Sequence, residues 1–397
     1  MTSAETLAVV GGGIGGLAAA YALGRQKNRV LVYEQAASFS EVGAGIGLGP
    51  NAVRIFQHWG LTKDLMEAAW APEFLQARSA VNGRILGQLP MGESFTQRYG
   101  APYLTLHRSA LHQLLLQAVQ HQDVAKLHIN HRLTHVQQTP SGVRLGVSSP
   151  PNKVEVDVLI GADGLHSAVR SECFNRDAPL ASGHWAYRAT VPMKNLPLAL
   201  RKPHIEIWLG KKLHVVQYPI EGGEALNLVV LVESADGQPQ SGWDVQRNEK
   251  QIRSDLGEAV SACCIELQEV VHAAPAWRAW CLFDRKPLQQ PSDMVLGRVA
   301  LLGDAAHPML PYLAQGAGMA LEDAHVFAKH WQRTDMSAPA RLQAYAQDRW
   351  QRVSRVQQRA RRNGQIFHAD GLLRIARDAA LRLGGAPLMD MPWLYAG

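Results

Sequence analysis

Glycines at positions 11, 13 and 16, spaced Gly-x-Gly-x-x-Gly, stand between an apolar run at residues 7–10 and an Ala-rich stretch at residues 16–25. That spacing strongly favours one local fold: a short buried strand, a tight turn and a helix. Gly11 permits the turn, Gly13 removes the Cβ that would block a pyrophosphate, and Gly16 lets the helix pack closely on the strand. The helix N-terminus supplies N–H groups and partial positive charge for the same phosphates. Residues 29–34 alternate and read as the second strand, ending in Glu34. A carboxylate there can accept both ribose hydroxyls of an adenosine. The expected dinucleotide contacts are Gly11, Gly13, Ile14, Gly15, Gly16, Glu34 and Gln35.

A second motif narrows the ligand. The apolar strand at residues 299–302 runs into Gly303 and Asp304, so that carboxylate emerges at a strand C-terminus, where it can accept a hydrogen bond from a ribityl hydroxyl. Beyond Pro308 and Pro311, Gln315 is followed by Gly316, Ala317, Gly318 and Met319, which open a helix. Its first amides can hold negative charge on a flavin pyrimidine. Together the two motifs specify FAD. Asp163 and Gly164 end another strand, with Ser167 and Arg170 on the following helix. Both a structural and a dinucleotide-adjacent role suit Asp163.

The predicted fold is α/β: a Rossmann-like, three-layer FAD-binding domain, an inserted antiparallel β-sheet substrate domain, and C-terminal helices. Residues 1–70, 100–180 and 285–335 form the first, 71–99 and 181–284 the second, and 336–397 the helical region. Four glycines within residues 43–51 predict a loop, and residues 70–100 lack a period and read as an excursion into the second domain. Ser109 is the expected N-cap of a helix over 109–121. Strands are expected at 127–129, 143–147 and 154–159, then at 186–191, 205–209, 214–218 and 226–231. Residues 251–272, 316–333 and 340–364 read as helices.

With 397 residues the chain is long enough for two domains. No apolar run reaches the length of a membrane span, and the N-terminus enters the first strand with no basic signal region. Cys173, Cys263, Cys264 and Cys281 show no CxxC spacing, which suits a reducing cytoplasm and no metal. The formal charge is +6. Much of the excess falls on Arg349, Arg352, Arg355, Arg359, Arg361 and Arg362, read as a solvated or interface helix face. No aromatic platform interleaves them, so nucleic acid is not an expected partner.

These motifs resemble the fingerprints of the single-component, FAD-dependent aromatic hydroxylases, over nearly the whole chain. The resemblance implies tightly bound FAD, NADH or NADPH as a transient reductant, and O2 delivered to an aromatic ring through a C4a-hydroperoxyflavin. It assigns Gly45 and Arg108 to the FAD site as well. The branch most resembled hydroxylates benzoates, on stretches including residues 43–51, 186–188, 214–219 and 314–323. Such chemistry gains from a base near the substrate phenol. His214 and Tyr218 lie four apart on one strand and so share a face. They are the expected catalytic pair, although a sheet histidine and a core tyrosine would read the same way. Arg188 is a candidate partner for a substrate carboxylate, or a tie between sheet and FAD domain. Pro311 and Tyr312 can meet substrate, and His307 can order the flavin loop. Trp277, Trp280 and Trp393 read as core or interface. Gly47 departs from relatives that carry a large side chain there, implying a hole beside the flavin. Met309, Leu310 and Pro311 are closer to salicylate hydroxylases. Salicylate is therefore the expected substrate. The alternatives are 3-hydroxybenzoate, an aminobenzoate or a quinolone, or a non-catalytic binding protein on the same fold. A homodimer is an expected assembly.

Overall fold

The strand Thr6–Val10 is buried along four of its five residues, as befits a strand inside a parallel sheet with both faces covered. It pairs in parallel with Arg29–Tyr33 on one side and Val158–Gly161 on the other. The computed structural model describes residues 5–39, 44–150, 152–174, 177–234 and 247–397. They fall into two compact units. The first comprises Met1–Val42, Ser109–Leu180 and Asp284–Ala360; the second comprises Gly43–Arg108, Ala181–Phe283 and Arg361–Gly397.

In the first unit a six-stranded sheet runs in the order Val295–Leu296, Val299–Leu301, Val158–Gly161, Thr6–Val10, Arg29–Tyr33, Ala125–His128. All neighbours are parallel except the first pair. The helix Ile14–Gly24 is buried along most of its length, which explains its alanines. A Cβ on Gly15 would stand 3.3 Å from the Ala320 Cβ, so this helix and Gly316–Trp331 approach through small residues. A separate antiparallel sheet is made by Leu133–Gln138, Val143–Val147 and Lys153–Val156.

In the second unit a seven-stranded sheet has the order Arg278–Asp284, Leu180–Pro192, Ala225–Glu233, Leu213–Ile220, Ile205–Leu209, Phe74–Ser79, Ile85–Pro90. Its two faces differ. One presents Trp185, Tyr187, Val191, Trp208, Val215 and Leu228, packed on Ile252, Leu256, Leu267 and Val270 of two helices. The alternation of side chains puts Arg188, His214, Val216, Tyr218, Asn227 and Val229 on the other face. One face therefore holds the unit together and the other carries its polar groups.

Several expectations change. The glycines at 45 and 47 lie in a strand, Gly45–Leu48, paired antiparallel with Leu104–His107; Gly43 lies outside the described residues. They serve close approach rather than looseness, because a Cβ on Gly45 would collide with Asn227 and Tyr218. The helix expected at 109–121 begins at Arg108, directly after the strand Leu104–His107, so Ser109 lies inside it rather than capping it. Residues 251–272 divide into Glu249–Val260 and Ile265–His272. The compact units also divide the chain differently from the expected boundaries. Residues 44–70 and 100–108 belong with the second unit, where the buried Thr105 hydroxyl donates to the Pro219 carbonyl at 2.6 Å. Residues 336–397 split at 360 instead of forming a third body.

Candidate active site

In the first unit, the turn after Thr6–Val10 is built to be tight and bare. Gly11 has φ +107°, which only glycine adopts without strain, and a Cβ there would strike the Ala162 carbonyl. A Cβ on Gly16 would strike the carbonyl of Gly11. Gly13 is the N-cap of Ile14–Gly24, which has no side-chain cap and no acid in its first turn. Its leading N–H groups thus keep their partial charge for an anion. Glu34 is held in place by two backbone donors, Gly12 N–H at 2.7 Å and Ala36 N–H at 2.8 Å. A carboxylate has about four acceptor sites, so capacity remains for ribose hydroxyls. Exposed Gln35 follows it. His112, which the sequence reading passed over, donates from Nε2 to the Gly12 carbonyl at 2.7 Å and fixes the turn from behind.

The Gly303–Asp304 turn rests on a buried network. Gly303 has φ +57° and donates its N–H to Asp323 Oδ2 at 2.9 Å. The same oxygen accepts from His307 Nε2 at 2.5 Å, and the other accepts from Arg349 Nε at 2.8 Å. Arg349 also reaches Glu322 at 2.6 Å, which Arg352 engages as well. Burial alone would raise the Asp323 carboxyl, but His307 and Arg349 outweigh it and hold it at about 2. His307 is thus tied to the Gly303 turn through Asp323. Arg349 is buried in an ion cluster, not on the solvated face its spacing suggested. Asp304 itself is exposed at the tip of the turn.

Of the two roles weighed for Asp163, the structural one is visible. Its carboxylate accepts from Ser167 Oγ at 2.5 Å and from the N–H of Ala168 at 2.7 Å, capping the helix Ala168–Cys173. From that helix Arg170 donates to the carbonyls of Ala305 and Ala306 at 2.8 and 2.6 Å, so the two motifs brace each other. Pro311 and Tyr312 form a short 3-10 turn, the first half-buried and the second buried. The helix Gly316–Trp331 then starts with no side-chain cap and no acid in its first turn, and open space lies over Gly316. Ala317 is half-buried beside it, while Gly318 and Met319 are buried. A bare phosphate turn, a fixed acid, an exposed Asp304 and an open helix N-terminus fit FAD.

The second unit carries a different kind of site. On the polar sheet face Arg188 lies over the Trp280 ring, 5.4 Å from its centroid, and its Nε is buried with no hydrogen-bond partner. Burial lowers its pKa, with Tyr218 opposing and Arg108 adding to the shift. Trp277 is core, but Trp280 belongs to this face. Tyr218 is seated against Gly45, whose N–H is taken by Asn227 Oδ1 at 2.6 Å. Burial drives the Tyr218 hydroxyl far up and the Tyr103 hydroxyl up to about 12, and no hydrogen bond among the described residues relieves either. Gly47 leaves no hole: a Cβ there would collide with the Tyr103 hydroxyl. Tyr103 was missed because nothing local in the sequence marks it. Arg108 stands where the strand Leu104–His107 passes into its helix, its N–H donating to the Ala44 carbonyl at 3.0 Å.

His214 shares the face with Tyr218, as expected, but it is not bare. Its Nδ1 lies 2.7 Å from His368 Nε2, and Phe367 packs on its ring at 5.2 Å. Burial first, then His368, His184 and Arg377, hold it well below the usual histidine value. His368 had no role in the sequence reading. Among the described residues no cluster could hold a metal ion, and no helix is long and apolar enough to cross a membrane.

Residues 3–360 match the family model described as an FAD binding domain. A 3-hydroxybenzoate 6-hydroxylase from Polaromonas naphthalenivorans is 36% identical over 390 residues, covering 98% of this chain and 94% of the relative. A 3-amino-4-hydroxybenzoate 2-monooxygenase from Streptomyces platensis is 36% identical over 393 residues, covering 98% and 95%. Among solved structures, Klebsiella pneumoniae HpxO complexed with FAD and uric acid superposes with TM-score 0.85 at 25% identity, over 98% of this chain and 95% of that one. Such identity over nearly full length, on a chain whose turns fit FAD, is membership rather than likeness: this chain belongs to the single-component FAD-dependent aromatic hydroxylases.

Proposed function

We propose that the protein hydroxylates a benzoate whose phenol stands meta to the carboxylate, 3-hydroxybenzoate first, with NADH or NADPH and O2 as co-substrates. The observation that carries this reading is Arg188, half-buried on the sheet face, whose Nε is buried with no hydrogen-bond partner and which pairs with no carboxylate among the described residues. A buried cation without a partner is costly unless a ligand supplies the anion. A substrate carboxylate does so through a bidentate pair, with the Tyr218 and Tyr103 hydroxyls as further donors. In salicylate the two groups sit side by side on the ring and satisfy each other, so the geometry favours the alternative over the substrate first expected. The 3-hydroxybenzoate of the first relative supports the same preference, while the 3-amino-4-hydroxybenzoate of the second keeps a benzoate with its hydroxyl away from the carboxylate.

Within this reading Arg188 orients the acid end, and His214 takes the phenol proton so that the ring becomes electron-rich. FAD, when bound, supplies the redox chemistry and the activation of O2. We also assign the chain to the cytoplasm and to a homodimer, for which the exposed Leu372, Leu373, Ile375 and Leu383 of one helix offer a surface. Fractionation and light scattering test those two points. The function is tested by following NADH and NADPH oxidation with a panel of hydroxy- and aminobenzoates while measuring hydrogen peroxide. Coupled turnover of 3-hydroxybenzoate to a dihydroxybenzoate that keeps its carboxylate supports the reading. Coupled conversion of salicylate to catechol, with 3-hydroxybenzoate inert, overturns it.

A further inference from the structure

A hydroxyl that donates to a substrate has to be aimed, and in Tyr103 no hydrogen bond among the described residues does so. Packing is what remains, and it acts on the ring. On one side stands the bare backbone of Gly47, where a Cβ would collide with the hydroxyl. On another stands the ring of Tyr395, its centroid 6.4 Å away and its plane inclined at 83°. Edge-on pairs of this kind depend on orientation, so a shift of one ring turns the other.

Tyr395 is itself held from several directions. It meets Tyr99 and Phe95 edge-on at 5.5 and 5.6 Å, and those two meet each other at 4.8 Å. Its segment folds as two single helical turns, Ala386–Met389 and Pro392–Tyr395, which are too short to persist without outside contacts. Arg54 supplies one: its Nη1 donates to the carbonyls of Tyr395 and Tyr99 at 2.7 and 2.6 Å. Asp390 supplies another, accepting from the Tyr99 hydroxyl at 2.7 Å and from Arg98 at 2.8 Å. Beside these latches a cavity of about 450 Å³ lies between Phe95 and the segment's Pro387 and Pro392. The segment is therefore placed by its polar latches more than by close packing along its length. Tying down such a segment has value for stability alone. Here, however, both latches run through Tyr99, and they fix one ring edge-on against three others, Tyr103 among them.

We propose that Tyr395 is a positioning residue of the substrate site, its ring holding Tyr103 at the angle from which the Tyr103 hydroxyl donates to the substrate carboxylate. This rests on the reading of Tyr103 as a donor beside Arg188. Tyr395 acts through Tyr103 and does not itself touch substrate.

The test is steady-state turnover of the FAD-loaded protein with 3-hydroxybenzoate, together with FAD content and Tm. A donor to the carboxylate serves the ground state and the transition state alike, so losing its aim raises KM and spares kcat. Tyr395→Leu is expected to raise KM by about threefold to tenfold, the range of one hydrogen bond, with kcat unchanged. Tyr395→Phe keeps the ring and should restore the parent KM. In a Tyr103→Phe background, Tyr395→Leu should raise KM no further. If Tyr395→Leu loses FAD, Asp390→Ala takes its place, since it frees the segment and leaves the ring; the same rise, absent in the Tyr103→Phe background, is expected. A KM that stays at the parent value, or that rises equally in the Tyr103→Phe background, means that Tyr395 only packs, and overturns the inference. A loss in Tyr395→Phe as large as in Tyr395→Leu overturns it too, because the hydroxyl then acts and not the ring. In each of those outcomes the proposed function stands. If the parent does not turn over 3-hydroxybenzoate, that function falls and the positioning role with it.

Discussion

Two arginines of this chain, one buried and one half-buried, live in opposite circumstances. Arg349, in the first unit, engages Asp323 and Glu322 and stands in a network where Gly303, His307 and Arg352 satisfy the same carboxylates. Arg188, in the second unit, has an aromatic ring beneath it and no anion. Burying a charge is unfavourable in both places, and only one of them contains its own remedy. A satisfied cluster shapes a backbone, here the turn that presents Asp304. An unsatisfied one is where an incoming anion gains most, and the substrate carboxylate is the anion we propose for it. The contrast separates architecture from recognition without reference to any motif.

The sharpest break of this comparison is removal of each arginine in turn. Arg349→Met leaves two buried carboxylates without their cation, and breaking such a pair costs about 3–5 kcal/mol. It should lower the unfolding free energy by that amount and release FAD; an unchanged denaturant midpoint would show the network to be ornamental. Arg188→Gln removes a cation that nothing in the protein pairs. Its stability should match the parent or exceed it, while KM for 3-hydroxybenzoate rises roughly thirtyfold or more, the equivalent of about 2 kcal/mol. Equal losses of stability in the two variants would end the distinction.

Acid sharpens it further. Asp323 sits at about 2 in the folded protein against 3.8 as a reference, so its contribution is present above 3.8 and is lost as pH falls toward 2. His368 is lowered from 6.5 to about 3, chiefly by burial. Between those values the unfolded chain binds the proton that the folded chain refuses, so stability declines as pH falls below 6.5. The histidine unit should therefore weaken first and the carboxylate network only later. Unfolding free energy measured from pH 6.5 to 4 should fall less steeply in His368→Gln. Parallel slopes would contradict the assignment.

Much of the first unit was legible because its function is written in local backbone chemistry. Gly11 and Gly16 read as a phosphate turn since only residues without side chains fit there, and the Gly303–Asp304 pair at a strand end is a local signal of the same short range. Long-range partners were not legible. The three- and four-residue spacing of Arg349 and Arg352 shows that they share a helix face, but not that Glu322 and Asp323 await them. His214 and Tyr218 were correctly put on one face by strand parity, while His368 lies 154 residues beyond His214 and nothing near it announces the contact. The glycines at 45 and 47 misled for a related reason. A glycine-rich stretch usually means a turn, and here it means that Tyr218 and Tyr103 occupy the missing side-chain space.

That last point supports the finest test of the unsatisfied site. Tyr103→Phe deletes one hydroxyl donor and opens the space over Gly47, with an expected loss of about 0.5–1.5 kcal/mol in substrate binding, or about threefold to tenfold in KM. Gly47→Ala alone forces the phenol away from its position, since its Cβ and the hydroxyl cannot coexist, and should raise KM comparably. The two changes made together should not add. Once the hydroxyl is gone, the alanine methyl fits the vacated space, so the double variant should behave like Tyr103→Phe alone, and the cycle should return a coupling of about 0.5 kcal/mol or more. Additive losses would mean that Gly47 and Tyr103 act on the substrate independently. The donor set around Arg188 would then lose its third member, leaving the carboxylate to Arg188 and Tyr218.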